Sequence, residues 1–336
     1  MTTGLLVVVA LLLAVACWLY SWTFTPHGRI RFVPAMVCRL AQLSQRFNDP
    51  VTYTQEDRLS ANESVRRFVK LPERPAVRAI DHTLRLPGRE LALRSYHPGT
   101  GEHLPMLLNI HGGAWWMGSD FIDDSVMRYL SAEADVVIVS VDYRLAPEHV
   151  HPAALEDCYA ALQWLVERAD ELGGDASRLG VYGTSAGGGL ATSLCLLSDQ
   201  RDGPSIKHQS LVVPVTDLSG VYAGPSMEQL ATGYILTASD LADMIANYVP
   251  DADMRKDPLV SPIYAYDLQG LPPAFIATAQ FDPLRDMAEA FAARLAKAGV
   301  ETELQRYDGV IHGFFGTSDV LQACTDRVAS EIRRVL

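Results

Sequence analysis

The stretch RLGVYGTSAGGGLATSL, residues 178–194, decides the fold class. It joins a short apolar run at 179–182 to a helix-like pattern that begins at Ala186. Ser185 sits at the junction, flanked by Gly183-Thr184 and Ala186-Gly187. G-x-S-x-G between a strand and a helix predicts a tight turn that lifts the hydroxyl out of the sheet. Glycines at both ends remove Cβ atoms that so sharp a turn could not hold. The helix start adds free N–H groups and a positive dipole end beside Ser185, where an oxyanion would form. A phosphate-binding loop is the other reading of a glycine-rich turn, but the Gly-Lys-Ser/Thr element is missing.

Outward from this turn, short apolar runs alternate with helical patterns. Residues 106–110, 136–141, 179–182, 210–215 and 274–279 are nearly continuous in apolar side chains, as strands buried on both faces are. Residues 80–86 and 90–97 alternate and read as a hairpin around Pro87-Gly88, and 301–307 alternate as an edge strand does. Helical patterns fall at 121–134, 153–171, 186–200, 284–298 and 320–334. This order implies a mostly parallel sheet of eight strands with helices on both faces. Residues 216–262 interrupt it with a long, partly helical insertion that reads as a lid.

The 336 residues carry a net charge of -12 and no basic stripe, which argues against a nucleic-acid surface. The five cysteines have no metal-ligand spacing and read as small buried hydrophobes. The N-terminus stands apart. Residues 4–24 hold no charge and reach the length of a membrane span, with Trp18, Tyr20 and Trp22 at the far end. The expectation is therefore a single-pass anchor over residues 1–24. Arg29, Arg31, Arg39 and Arg46 follow it and place the catalytic domain in the cytoplasm. The alternative is an export signal cleaved near Ala14-Val15-Ala16, before Cys17. Residues 30–47 repeat apolar side chains at helical spacing and suit either a membrane surface or packing on the chain's own domain. The expected organisation is anchor 1–24, juxtamembrane and N-terminal cap region 25–78, and catalytic domain 79–336.

A serine needs a base, an orienting acid and oxyanion donors. Asp282, just beyond the buried run at 274–279, is the favoured acid. Asp286, one turn later, reads as a loop-ordering or capping residue. His312, in a loop after the last strand, completes the chain order Ser, Asp, His. The segment NIHGGAWWMG (109–118) follows a strand, and its Gly112, Gly113 and Ala114 can turn N–H groups toward a reacting carbonyl. His111 reads as a brace for that loop rather than a base. Trp115 and Trp116 are candidate pocket walls, with core packing as the alternative for each.

Six segments together resemble the hormone-sensitive-lipase family of α/β-hydrolases, the bacterial family IV esterases: HGGAWW, VDYRLAPEHVHPAALED, YGTSAGGGLA, DPLVSP, DPLRDMA and HGF. The likeness spans roughly residues 50–336, and Gly183-Thr184-Ser185-Ala186-Gly187-Gly188 resembles the motif of one subgroup. The resemblance implies an α/β-hydrolase fold with a helical cap. It implies a triad of Ser185, Asp282 and His312, and an oxyanion hole from Gly112, Gly113 and Ala114, completed by the N–H of Ala186. Ala114 stands where the family has a third glycine. The implied reaction is acyl transfer from short to medium esters, without metal or organic cofactor. The implied partner is a small-molecule ester; a homo-oligomer is left open. An arylacetamide-deacetylase-like amidase uses the same triad. A non-catalytic receptor on this fold lacks the histidine that His312 supplies here.

Overall fold

The computed structural model describes residues 2–43, 53–118 and 121–336. Eight strands form one sheet: β1 (Arg78–Leu86), β2 (Arg89–His97), β3 (Leu104–Ile110), β4 (Val137–Asp142), β5 (Gly174–Thr184), β6 (His208–Val212), β7 (Ala274–Phe281) and β8 (Thr302–Ile311). Their spatial order is β8-β7-β6-β5-β3-β4-β2-β1. From β4 to β8 every pairing is parallel. The β1–β2 hairpin adds antiparallel strands at one edge. The expected edge strand at 301–307 is β8, at the other edge.

The helices used below are α1 (Thr2–Ser21), α2 (Phe32–Leu43), α3 (Gln55–Phe68), α4 (Asp124–Ala134), α5 (Ala153–Glu167), α6 (Ala186–Gln200), α7 (Gly224–Gln229), α8 (Ala238–Tyr248), α9 (Arg285–Lys297) and α10 (Ser318–Val335). Strand side chains alternate between faces. On β3, Leu108 and Ile110 therefore enter the core beneath α5, α6 and α9, whereas Leu107 enters the core beneath α4 and α10. Both faces are covered, so the central strands read as continuous apolar runs. β6 stops at Val212, short of the apolar run ending at 215, because Pro214 has no N–H to continue the ladder.

The N-terminal reading needs correction. Residues 4–24 fall largely within α1, but among the described residues no helix is long and apolar enough to cross a membrane. The expected single-pass anchor is overturned, and with it the cytoplasmic placement that rested on the flanking arginines. The groups taken as membrane-flanking signals are engaged by the chain itself. Trp22 packs against a cluster of Ile30, Tyr234, Phe281 and Ile311. The Arg29 guanidinium lies over the Tyr20 and Phe24 rings at 5.1 and 5.6 Å. Arg31 pairs with Asp319, and its N–H donates to Gly309 O at 2.8 Å. Arg46 and Phe47 lie outside the described residues. Helix α2 buries Ala35, Cys38 and Ala41, which decides for packing on its own domain.

Candidate active site

Ser185, Asp282 and His312 each follow a parallel strand directly: β5, β7 and β8. The side chains converge because those carboxyl ends lie on one rim of the sheet. Ser185 has φ 56° and ψ -120°, a conformation that costs a non-glycine residue about 1–3 kcal/mol. Two backbone bonds hold it there: Ser185 N–H donates to Val212 O at 2.8 Å, and Val215 N–H donates to Ser185 O at 3.1 Å. The turn is tight enough that a Cβ on Gly187 would sit 2.0 Å from Ile110 O and 2.4 Å from His111 O. Gly187→Ala should therefore destabilise the fold by the upper end of the ~1–3 kcal/mol range for overpacking, or more. Denaturant unfolding checks this; a variant with wild-type midpoint and slope would show that the elbow can widen.

His312 bridges the other two side chains. Its Nδ1–H donates to Asp282 Oδ2 at 2.7 Å, and its Nε2 lies 2.9 Å from Ser185 Oγ, positioned to accept the hydroxyl proton. Asp282 is 1% exposed, and its Oδ1 accepts from the Leu284 N–H at 2.9 Å. The carboxylate is thus fixed from both sides and selects the Nδ1–H tautomer, leaving Nε2 unprotonated. Asp286 does not join this set. Its Oδ2 accepts from the Ser226 N–H at 2.7 Å and its Oδ1 from Arg285 Nε at 2.8 Å, tying α7 to the loop that carries Asp282.

The loop after β3 runs through left-handed backbone: Gly113 at φ 117°, Ala114 at 48° and Trp115 at 63°. Gly113 O accepts from the N–H groups of Trp116 and Met117, both at 3.1 Å. Arg58 Nε donates to Trp116 O at 2.8 Å, and Gly118 N–H donates to Asn62 Oδ1 at 2.9 Å. So α3 clamps the loop. Among the described residues the N–H groups of Gly113 and Ala114 have no backbone acceptor, which leaves them available to a developing oxyanion. His111 stacks on Tyr143 at 4.1 Å and bonds Gly112 O through Nδ1 at 2.7 Å. Burial pushes its imidazole down to about 4, so it stays neutral and braces the loop.

A cavity of about 250 Å³ opens over Ser185 and His312 and is lined by Gly112, Gly113 and Ala114. The two tryptophans part company here. Trp116 lines the cavity and meets Tyr53 edge-on at 5.4 Å. Trp115 faces the core and stacks on Tyr248 at 4.6 Å, so the pocket-wall reading fails for it. Successive residues of this turn point to opposite sides, and only one indole can reach the cleft. Sequence reasoning missed several cavity residues: Val65 and Val69 around the end of α3, Leu236, Leu241 and Met244 around α8, and Asp123 before α4. One signal was available for α3. Thr54 and Asp57 form a capping box, with Asp57 N–H donating to Thr54 Oγ1 at 3.1 Å and Thr54 N–H to Asp57 Oδ2 at 3.2 Å.

Residues 107–316 match the family described as having the alpha/beta hydrolase fold. The chain belongs to this family. More narrowly, the hydrolase is of the hormone-sensitive-lipase, family IV type. It is 37% identical over 299 residues to carboxylesterase NlhH of Mycobacterium tuberculosis, covering 85% of this chain and 92% of that one. It is 36% identical over 283 residues to an arylesterase of Saccharolobus solfataricus, covering 84% and 90%. Among solved structures, the hydrolase superposes on EstE1, a thermostable carboxylesterase cloned from a metagenomic library, with TM-score 0.79 and 36% identity. That match covers 83% of this chain and 96% of EstE1.

Proposed function

We propose that Ser185, Asp282 and His312 hydrolyse short to medium acyl esters through a covalent acyl-serine. The chain is a carboxylic ester hydrolase, the activity shared by the curated relatives that cover most of its length. The observation that carries the assignment of residues is the unbroken bond path from Ser185 Oγ through His312 to Asp282, at 2.9 and 2.7 Å. Ser185 Oγ attacks the ester carbonyl as His312 Nε2 takes its proton. The developing oxyanion meets the N–H groups of Gly113, Ala114 and Ala186, each donor worth about 3 kcal/mol of barrier. His312 returns the proton to the leaving alcohol, and water then repeats the sequence on the acyl-enzyme. Asp282 holds the imidazole tautomer and stabilises its cation.

Segments 25–78 and 216–262 serve as a two-part cap. The support is positional: α3 and α8 supply cavity walls from outside the sheet, opposite Ser185. A cavity of about 250 Å³ closed by Trp116, Leu236 and Met244 suits compact acyl groups. Activity is expected to peak on acyl chains of roughly two to eight carbons, as a pocket rather than an open groove requires. A panel of p-nitrophenyl esters set against matched anilides tests both parts. Anilides cleaved as fast as esters would displace the esterase reading, and kcat/KM rising steadily to hexadecanoate would displace the pocket reading.

A further inference from the structure

The cavity has a second, polar end. From Ser185 it runs down beside β5, past Thr184 to Tyr182, and is walled there by Asp123, Val126, Val212 and Leu321. Three strand residues separate Ser185 from Tyr182, a descent of roughly 10 Å. Tyr182 pairs in register with Asn109 of β3, and Asn109 Nδ2 donates to Asp123 Oδ2 and to Ser140 Oγ, both at 2.8 Å. Asp123 Oδ1 is buried and has no hydrogen-bond partner among the described residues; Asn109 Oδ1 is in the same state.

The adjacent carboxylate shows how differently this chain treats an acid meant for structure. Asp124 accepts from Arg128 Nε at 2.7 Å, Tyr96 Oη at 3.1 Å and Arg94 Nη1 at 3.2 Å. None of these cations reaches Asp123 among the described residues. Burial, against the opposing pull of the Asn109 hydrogen bond, pushes the Asp123 carboxyl up to about 6. A desolvated carboxyl with an empty acceptor, on the wall of an otherwise apolar cavity, is a group short of a donor.

We propose that Asp123 is a specificity-determining residue that receives a hydrogen-bond donor, such as a terminal hydroxyl, on the ester chain occupying this arm of the cavity. The proposal rests on the esterase reading above. It predicts that this hydrolase favours ω-hydroxylated esters over plain ones more than an apolar pocket would, since a buried acceptor left unpaired penalises the substrate that lacks the donor.

Two matched pairs test it: p-nitrophenyl hexanoate with its ω-hydroxy analogue, and hexyl butyrate with ω-hydroxyhexyl butyrate. The responding pair identifies whether the arm takes the acyl or the alcohol chain. The ratio of kcat/KM for hydroxylated over plain ester should fall about tenfold in Asp123→Leu and about threefold in Asp123→Asn, which keeps size and one acceptor but loses the charge. If the leucine variant does not fold, the asparagine variant supplies the reading. A ratio unchanged by these substitutions in both pairs overturns the role of Asp123. Failure of the wild-type chain to cleave any of the four esters would instead sink the esterase reading.

Discussion

Ser185→Ala is expected to lower kcat for p-nitrophenyl butyrate by about 10⁴- to 10⁶-fold, and His312→Ala by a similar factor. The two groups form one proton path, Oγ to Nε2 at 2.9 Å, so neither acts without the other. The double variant should therefore lose no more than either single one, because the residual rate comes from oxyanion donors and binding alone. Alanine keeps the Cβ that the elbow already accommodates at φ 56°, so Ser185→Ala should fold with an unchanged unfolding midpoint. Steady-state kinetics on variants with wild-type circular dichroism measure this. Retention of a tenth of wild-type turnover in His312→Ala would exclude it as the base.

The two aspartates of the DPLRD segment should separate cleanly. Asp282→Asn is expected to cost about 10⁴-fold in kcat with the fold intact. An amide facing His312 Nδ1 at 2.7 Å favours the opposite tautomer, which puts a proton on Nε2 and denies Ser185 its base. Asp286→Ala should lower kcat less than tenfold in folded protein. Its cost falls on stability, about 1–3 kcal/mol, because the Ser226 N–H and the Arg285 guanidinium lose their acceptor. Comparing kcat with urea midpoints for the two variants distinguishes a proton-orienting role from a latching one. Near-full turnover in Asp282→Asn would sink the assignment of the acid.

The elements that sequence reasoning placed well are those whose demands are local. G-x-S-x-G needs glycines at both ends because a Cβ on Gly183 would meet Gly187 O at 2.2 Å, and that requirement is written within five residues. The central strands reveal themselves because burial on both faces leaves no room for polar alternation, and Asp282 and His312 are legible because each directly follows such a strand. Trp115 and Trp116 are chemically the same residue in adjacent positions. Which one walls the cavity depends on Tyr248, a long way along the chain, stacking on Trp115. Asp123 and Asp124 pose the same problem: Arg94, Arg128 and Tyr96 are aimed at one carboxylate and not the other only once β2 and α4 are packed. Asp286 becomes a latch because α7 arrives beside it. The apolar run at 4–24 misled because hydropathy and flanking charge are local quantities, whereas Trp22 and Arg31 find their partners on segments near residues 230 to 320. Local sequence therefore determined the sheet, the elbow and the three reacting side chains, each governed by the steric and burial needs of its own neighbours. The cavity walls, its polar end and the fate of the N-terminus were decided by tertiary structure, because contacts between distant segments exist only after the chain has closed on itself.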